Sequence, residues 1–297
     1  MKKALRAAGY ILVLMLSYVV FQGFFTFVAM LVAMLYAAVK GYVSVESIGE
    51  LDNFEALLSS SANGAYIWAM AIGLFLSTVS MLFFLYIIRG YRIKPAIFRS
   101  ISSNSLFLST MLVFSSMFAL NIFVQWFNLE DVLATEFEGL THNIIGVITI
   151  SLLAPLLEEV LFRGAIQGYL MRRHKPWVAI VVAALVFGVF HWNPVQVLYA
   201  TLLGAVFGWI YYRTGSLLSV IVGHVLNNSI ATVAMLLFGN EEINPLPEGL
   251  VSSSAEMVSE VATFLFFVVL SLYFAVRLHR SLPPVSSPWA DLGGEIR

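Results

Sequence analysis

Of the 297 residues, 60% are hydrophobic and only 11% are charged, with a mean hydropathy of +0.90, whereas soluble domains carry about 25% charged residues. The formal net charge is -1 and there is no basic domain or soluble module to hold nucleic acid, which excludes that class of partner. The absence of cysteine excludes disulfides, thiolate metal sites and cysteine nucleophiles.

A membrane-crossing helix needs about 20 predominantly apolar residues, and eight stretches read as crossings, the fifth and sixth of them short. They run from Ala8 to Val39, Ala65 to Ile88, Ser105 to Phe127, Asn143 to Leu170, Trp177 to His191, Val195 to Tyr212, Ser216 to Phe238 and Met257 to Arg277. Only Trp192, Asn193 and Pro194 part the fifth from the sixth, so these two also read as one kinked pair. The expectation is an all-α, polytopic integral protein of the cell membrane.

The first stretch follows Lys2, Lys3 and Arg6, as a secretory signal would. A signal's apolar core runs only about 7 to 15 residues. This one is roughly twice as long without a convincing small-residue cleavage site, so it reads as a retained helix. Basic residues mark cytoplasmic loops. With the amino terminus inside, eight crossings place 14 of the 16 basic residues in cytoplasmic segments and 13 of the 17 acids on the opposite side. Both termini are then cytoplasmic. The outer loops are acidic, around Glu46 to Glu55, Glu130 to Glu138 and Glu241 to Glu260. The tail SLPPVSSPWADLGGEIR is rich in proline and serine and reads as flexible.

Ionisable groups at bilayer depth are costly and tend to be paired or used. The fourth stretch contains APLLEEVLFRG, with Glu158, Glu159 and Arg163; His191 ends the fifth and His224 lies on the seventh. Glu159 and Arg163 are four residues apart and can pair on one helix face. Glu158 is rotated by about 100° and is left over. A rise of about 1.5 Å per residue puts Glu158 and His191 roughly 20 Å from the cytoplasmic end, His224 roughly 12 Å and Asn228 roughly 18 Å. Asn228 rather than Asn227 shares the face of His224, being four residues on. Gly204 and Gly208 form a GxxxG pattern that reads as close helix packing, and Phe187 as an apolar wall one turn before His191.

A carboxylate held among apolar side chains can act as a base near neutral pH. With a histidine it could share a water that attacks a carbonyl, while histidine and asparagine N–H groups receive the developing oxyanion. Ser229 lacks a G-x-S-x-G setting, and no H-E-x-x-H is present. On ligand types alone, Glu158, His191 and His224 also suit zinc.

The ordered set E-E-x-x-x-R (Glu158, Glu159, Arg163), F-x-x-x-H (Phe187, His191) and H-x-x-x-N (His224, Asn228) resembles the signature of the CAAX protease and bacteriocin-processing family, also called Abi, which includes the type II CAAX prenyl endopeptidases. The likeness extends over Asn143 to Met235, roughly a third of the chain. It implies a division into amino-terminal helices (1–142), a catalytic helical core (143–238), and an outer loop, last helix and tail (239–297). It further implies an intramembrane glutamic endopeptidase without a required cofactor. Glu158 and His191 would activate water, His224 and Asn228 would form the oxyanion site, and Glu159, Arg163 and Phe187 would support them. The substrate would be a peptide or membrane protein, reached from the cytoplasmic half of the bilayer. No motif outside this region names a substrate, prenylated or otherwise, and nothing fixes the oligomeric state. Two other readings use the same residues: a proton-coupled transporter, and a non-catalytic scaffold or immunity protein.

Overall fold

The computed structural model describes residues 2–40, 65–87, 101–243 and 254–283. The expected acidic loop around Glu46 to Glu55, the basic loop from Arg89 to Arg99 and the carboxy-terminal tail lie outside the described residues. All described elements are helical: α1 (Lys2–Val39), α2 (Ala65–Ile87), α3 (Ser103–Gln125), α4 (Ala134–Thr141), α5 (Ile144–Met171), α6 (Pro176–Val189), α7 (Pro194–Thr214), α8 (Leu217–Ile243) and α9 (Ser254–Ser281). Seven of them are long and apolar enough to cross a membrane, and α6 is a shorter apolar helix of 14 residues. The chain is an all-α, polytopic membrane protein.

The fifth and sixth expected stretches are two separate helices. Helix α6 stops at Val189, and Trp192 takes a left-handed backbone (φ 56°), a conformation that is strained for a bulky side chain. Asn193 is fully buried there. Its Nδ2 donates to Asp131 Oδ1 (2.8 Å) and its Oδ1 accepts from the Val132 backbone N–H (3.3 Å). Pro194 then opens α7, where its missing N–H costs nothing. The other end of α7 is closed by Gly215 in the left-handed region (φ 65°). Helix α4 was not anticipated; it sits in what read as an outer loop.

Helix α5 lies at the centre, packed against α2, α6, α7 and α8. Every residue from Glu159 to Gly168 is buried. Around it, α1 packs with α2, α6 with α7, and α9 with α3. Ser271 on α9 donates to Ser115 on α3 (3.0 Å) and Phe267 stacks on Phe118 (4.9 Å), the small-polar and van der Waals contacts that join helices in lipid. The outer faces of α1 and α9 expose Leu12, Val20, Phe24, Phe266 and Val269, as lipid-facing surfaces do.

Two stretches of α5, Thr149–Leu153 and Glu159–Gln167, are π-helical. In the first, the Ala154 N–H bonds to Thr149 O, five residues back. The next bond in that register would run from residue 155 to Ile150 O, but residue 155 is proline and has no N–H. Ile150 O is thereby left for another donor.

Candidate active site

Glu159 is wholly buried and Arg163 nearly so (1% exposed). Arg163 Nη1 donates to Glu159 Oε1 (2.9 Å) and its Nη2 to Gly204 O (3.2 Å). Its guanidinium lies over the rings of Phe187 (4.2 Å) and Phe207 (5.1 Å), a desolvated cation–π arrangement. One turn on, Gln167 Nε2 donates to Gly208 O (2.8 Å). Glu159, Arg163 and Gln167 recur every four residues on α5, as Gly204 and Gly208 do on α7. The glycines are therefore more than a helix-packing pair. A Cβ at Gly204 would stand 2.9 Å from Phe187 Cδ1 and 3.1 Å from Arg163 Nη2, and one at Gly208 would stand 2.8 Å from Gln167 Oε1.

His224, on α8, also belongs to this layer. Its Nδ1 lies 2.7 Å from Glu159 Oε1, so the carboxylate accepts both from it and from Arg163. Its Nε2 points the other way, 3.6 Å from Glu158 Oε2. One imidazole thus spans the two glutamates. The spacing along α5 identified the Glu159–Arg163 pair, but it could not show this contact with a residue 65 positions away.

Glu158, unlike wholly buried Glu159, keeps 19% of its side chain exposed. It lines a cavity of about 540 Å³ together with Phe187, His191, His224, Asn227 and Asn228. His191 Nδ1 is 2.8 Å from Phe187 O. A carbonyl only accepts, so Nδ1 carries the proton and the neutral ring keeps Nε2 as an acceptor. Phe187 meets the rings of both histidines edge-on, at 4.8 Å and 5.9 Å. It is a positioning surface as well as a wall.

Asn228 Nδ2 donates to Ile150 O (2.9 Å), the carbonyl released by the π-helical turn before Pro155. Its Oδ1 accepts from Asn227 Nδ2 (3.0 Å), and Asn227 Oδ1 accepts from Tyr199 OH (2.6 Å). Tyr199 and Asn227 were not among the anticipated residues. The available signals were the adjacent asparagines and a proline inside a membrane stretch.

Glu158, Phe187, His191, His224 and Asn228 therefore meet at one cavity, with Glu159 and Arg163 packed behind it. Among the described residues no three histidine, aspartate or glutamate side chains gather as a metal site.

A polytopic helical membrane protein with a buried Glu–Arg–His layer under a Glu- and His-lined cavity is the class that fold and site define. Residues 140–230 match the family described as Type II CAAX prenyl endopeptidase Rce1-like. Over 90 residues the chain is 29% identical to the protein of Bacillus subtilis (strain 168) named "Putative membrane peptidase YdiL". That match spans 30% of this chain and 37% of the relative, so the chain covers little more than a third of its length. No solved structure matches. Together these findings bear out the resemblance to the CAAX protease and bacteriocin-processing family over the segment that carries the motifs.

Proposed function

We propose that the protein is an intramembrane endopeptidase that hydrolyses a peptide bond with a water activated by Glu158 and His191. The observation that carries this reading is one cavity lined both by a carboxylate and by a histidine whose Nε2 is left as an acceptor. The likeness to a peptidase family and to a relative named as a membrane peptidase supports the same class.

Glu158 takes a proton from the water as its oxygen attacks the carbonyl carbon, and returns that proton to the leaving amine. His191 Nε2 accepts the water's second hydrogen bond and orients it. The oxyanion receives an N–H of Asn228, whose amide keeps a second hydrogen beyond the one given to Ile150 O, and the Nε2–H of His224. That role requires His224 as imidazolium, because its Nδ1 proton is committed to Glu159. Glu158 and Glu159 flank the two ring nitrogens of His224. Glu159, Arg163 and Phe187 hold the geometry, and no step passes through a metal.

Purified protein in detergent is assayed against candidate peptides, alongside Glu158→Ala and His191→Ala, with and without chelator. Hydrolysis that disappears in both variants and persists in chelator is the expected result. Cleavage surviving both substitutions overturns the site, and loss in chelator restored by zinc overturns the metal-free mechanism. Proton flux in liposomes without proteolysis, abolished by Glu158→Gln, would instead identify a transporter. A cellular phenotype fully rescued by Glu158→Ala would identify a scaffold.

A further inference from the structure

The two ends of the bundle differ in charge, and the cavity belongs to one of them. Tyr10 stacks on Tyr169 (4.4 Å), Tyr211 OH lies beside Gly168, and Arg213 Nη2 donates to His279 O (2.9 Å). The start of α1 and the ends of α5, α7 and α9 therefore share one end, which carries Arg6, Arg172, Arg173, Lys175, Arg213, Arg277 and Arg280. At the other end Trp126 Nε1 donates to Glu260 (2.7 Å), and Asn193 to Asp131. The described charges there are mostly acidic: Glu130, Asp131, Glu138, Glu256 and Glu260, with Lys40 the one described cation.

From Glu158 and His224 the cavity lining continues only toward the acidic end. It passes Tyr18 and Tyr199 and reaches a rim at Asp131, Leu133, Trp192 and Gln196, where Trp192 is 74% exposed. Toward the basic end the floor is closed by Phe207, Arg163 and Tyr211, which are buried to within 1%. Lysine and arginine accumulate on the cytoplasmic side of short-looped membrane proteins. Among the described residues, Arg6, Arg172, Arg173, Lys175, Arg213, Arg277 and Arg280 lie at the closed end, against Lys40 alone at the other.

We propose that the cavity admits its substrate from the non-cytoplasmic face. The substrate class is then an exported peptide, or the outer segment of a membrane protein, entering in extended form with apolar side chains against Met70, Leu74, Phe190 and Leu203. This runs opposite to the approach from the cytoplasmic half expected from the sequence, and it rests on the peptidase reading for the nature of the substrate. The depth arithmetic behind that expectation located the polar groups but held no information on which side of them the helices part.

The cysteine-free chain permits a direct test by single-cysteine labelling. Gln196→Cys and Leu133→Cys report on the rim, Asn128→Cys on the acidic end and Arg173→Cys on the basic end, and none belongs to the catalytic set. Each full-length variant is expressed in a bacterial inner membrane and exposed to a membrane-impermeant maleimide, in spheroplasts and in inverted vesicles. The expected result is labelling of the rim and acidic-end cysteines in spheroplasts, with Arg173→Cys labelled only in inverted vesicles. Rim cysteines labelled only in inverted vesicles overturn the proposal. Rim cysteines unlabelled on both sides, while Asn128→Cys and Arg173→Cys are labelled, overturn it equally. Labelling needs no turnover, so failure of the peptidase reading in the hydrolysis assay is distinguished from failure here.

Discussion

On the buried side of α5, Glu159 shares one oxygen between Arg163 and His224, and Arg163 is further held by Gly204 O and two aromatic faces. On the cavity side, the adjacent Glu158 has, among the described residues, the 3.6 Å approach of His224 Nε2. His191 keeps a free acceptor, and Asn228 keeps an N–H. One side uses its polar groups on each other; the other leaves bonding capacity for a substrate and a water. Charge in the bilayer thus has two different stabilities within a single turn. Removing a partner from the first side should unfold, and removing a group from the second should inactivate.

Glu158→Gln breaks the comparison most directly. It keeps shape and polarity but removes the proposed base, so hydrolysis should fall about 10²–10⁴-fold while the thermal unfolding midpoint in detergent stays near that of the parent. A large loss of stability would mean that Glu158 belongs to the buried layer after all. Arg163→Ala tests the opposite side. It leaves buried Glu159 without its guanidinium partner, at a cost of about 3–5 kcal/mol, read as reduced folded yield and an earlier unfolding transition. An Arg163→Ala variant of undiminished stability would show that the layer does not hold the helices together. Gly204→Val presses on both sides at once. Its Cβ meets Phe187 at 2.9 Å and Arg163 at 3.1 Å, and overpacking of this kind costs about 1–3 kcal/mol. Because Phe187 O holds His191, activity should fall by more than the unfolding shift alone explains.

The membrane stretches and the four-residue spacing of Glu159 and Arg163 were legible in the sequence because both follow from local rules, apolar length and helix periodicity. The meeting of Glu158, His191, His224 and Asn228 was legible only as agreement in depth. What stayed hidden depends on contacts between distant parts of the chain. Helix α6 is 14 residues long, shorter than the about 20 residues of a full span, and ends at a turn held by Asn193 against Asp131. The π-helical turns bond five residues apart, and apolar composition carries no mark of that register. Pro155 alone hinted at it. Glu159 to His224 and Tyr199 to Asn227 are pairings between helices, which no periodicity within one helix can reveal.

The smallest effect is expected at Tyr199, and it probes how Asn228 is held. Tyr199 OH donates to Asn227 Oδ1 (2.6 Å), Asn227 Nδ2 donates to Asn228 Oδ1 (3.0 Å), and Asn228 Nδ2 donates to Ile150 O (2.9 Å). Tyr199→Phe removes the first donor without changing ring volume, a loss of about 1 kcal/mol, roughly fivefold. If the chain of amides fixes the oxyanion donor, the loss falls on kcat and leaves KM unchanged, because the oxyanion exists only in the transition state. A double-mutant cycle sharpens this. In the Asn228→Ala background, Tyr199→Phe should add nothing, since the group it positions is gone. Full additivity would assign Tyr199 to packing of α7 on α8 and detach its hydroxyl from the proposed oxyanion donor.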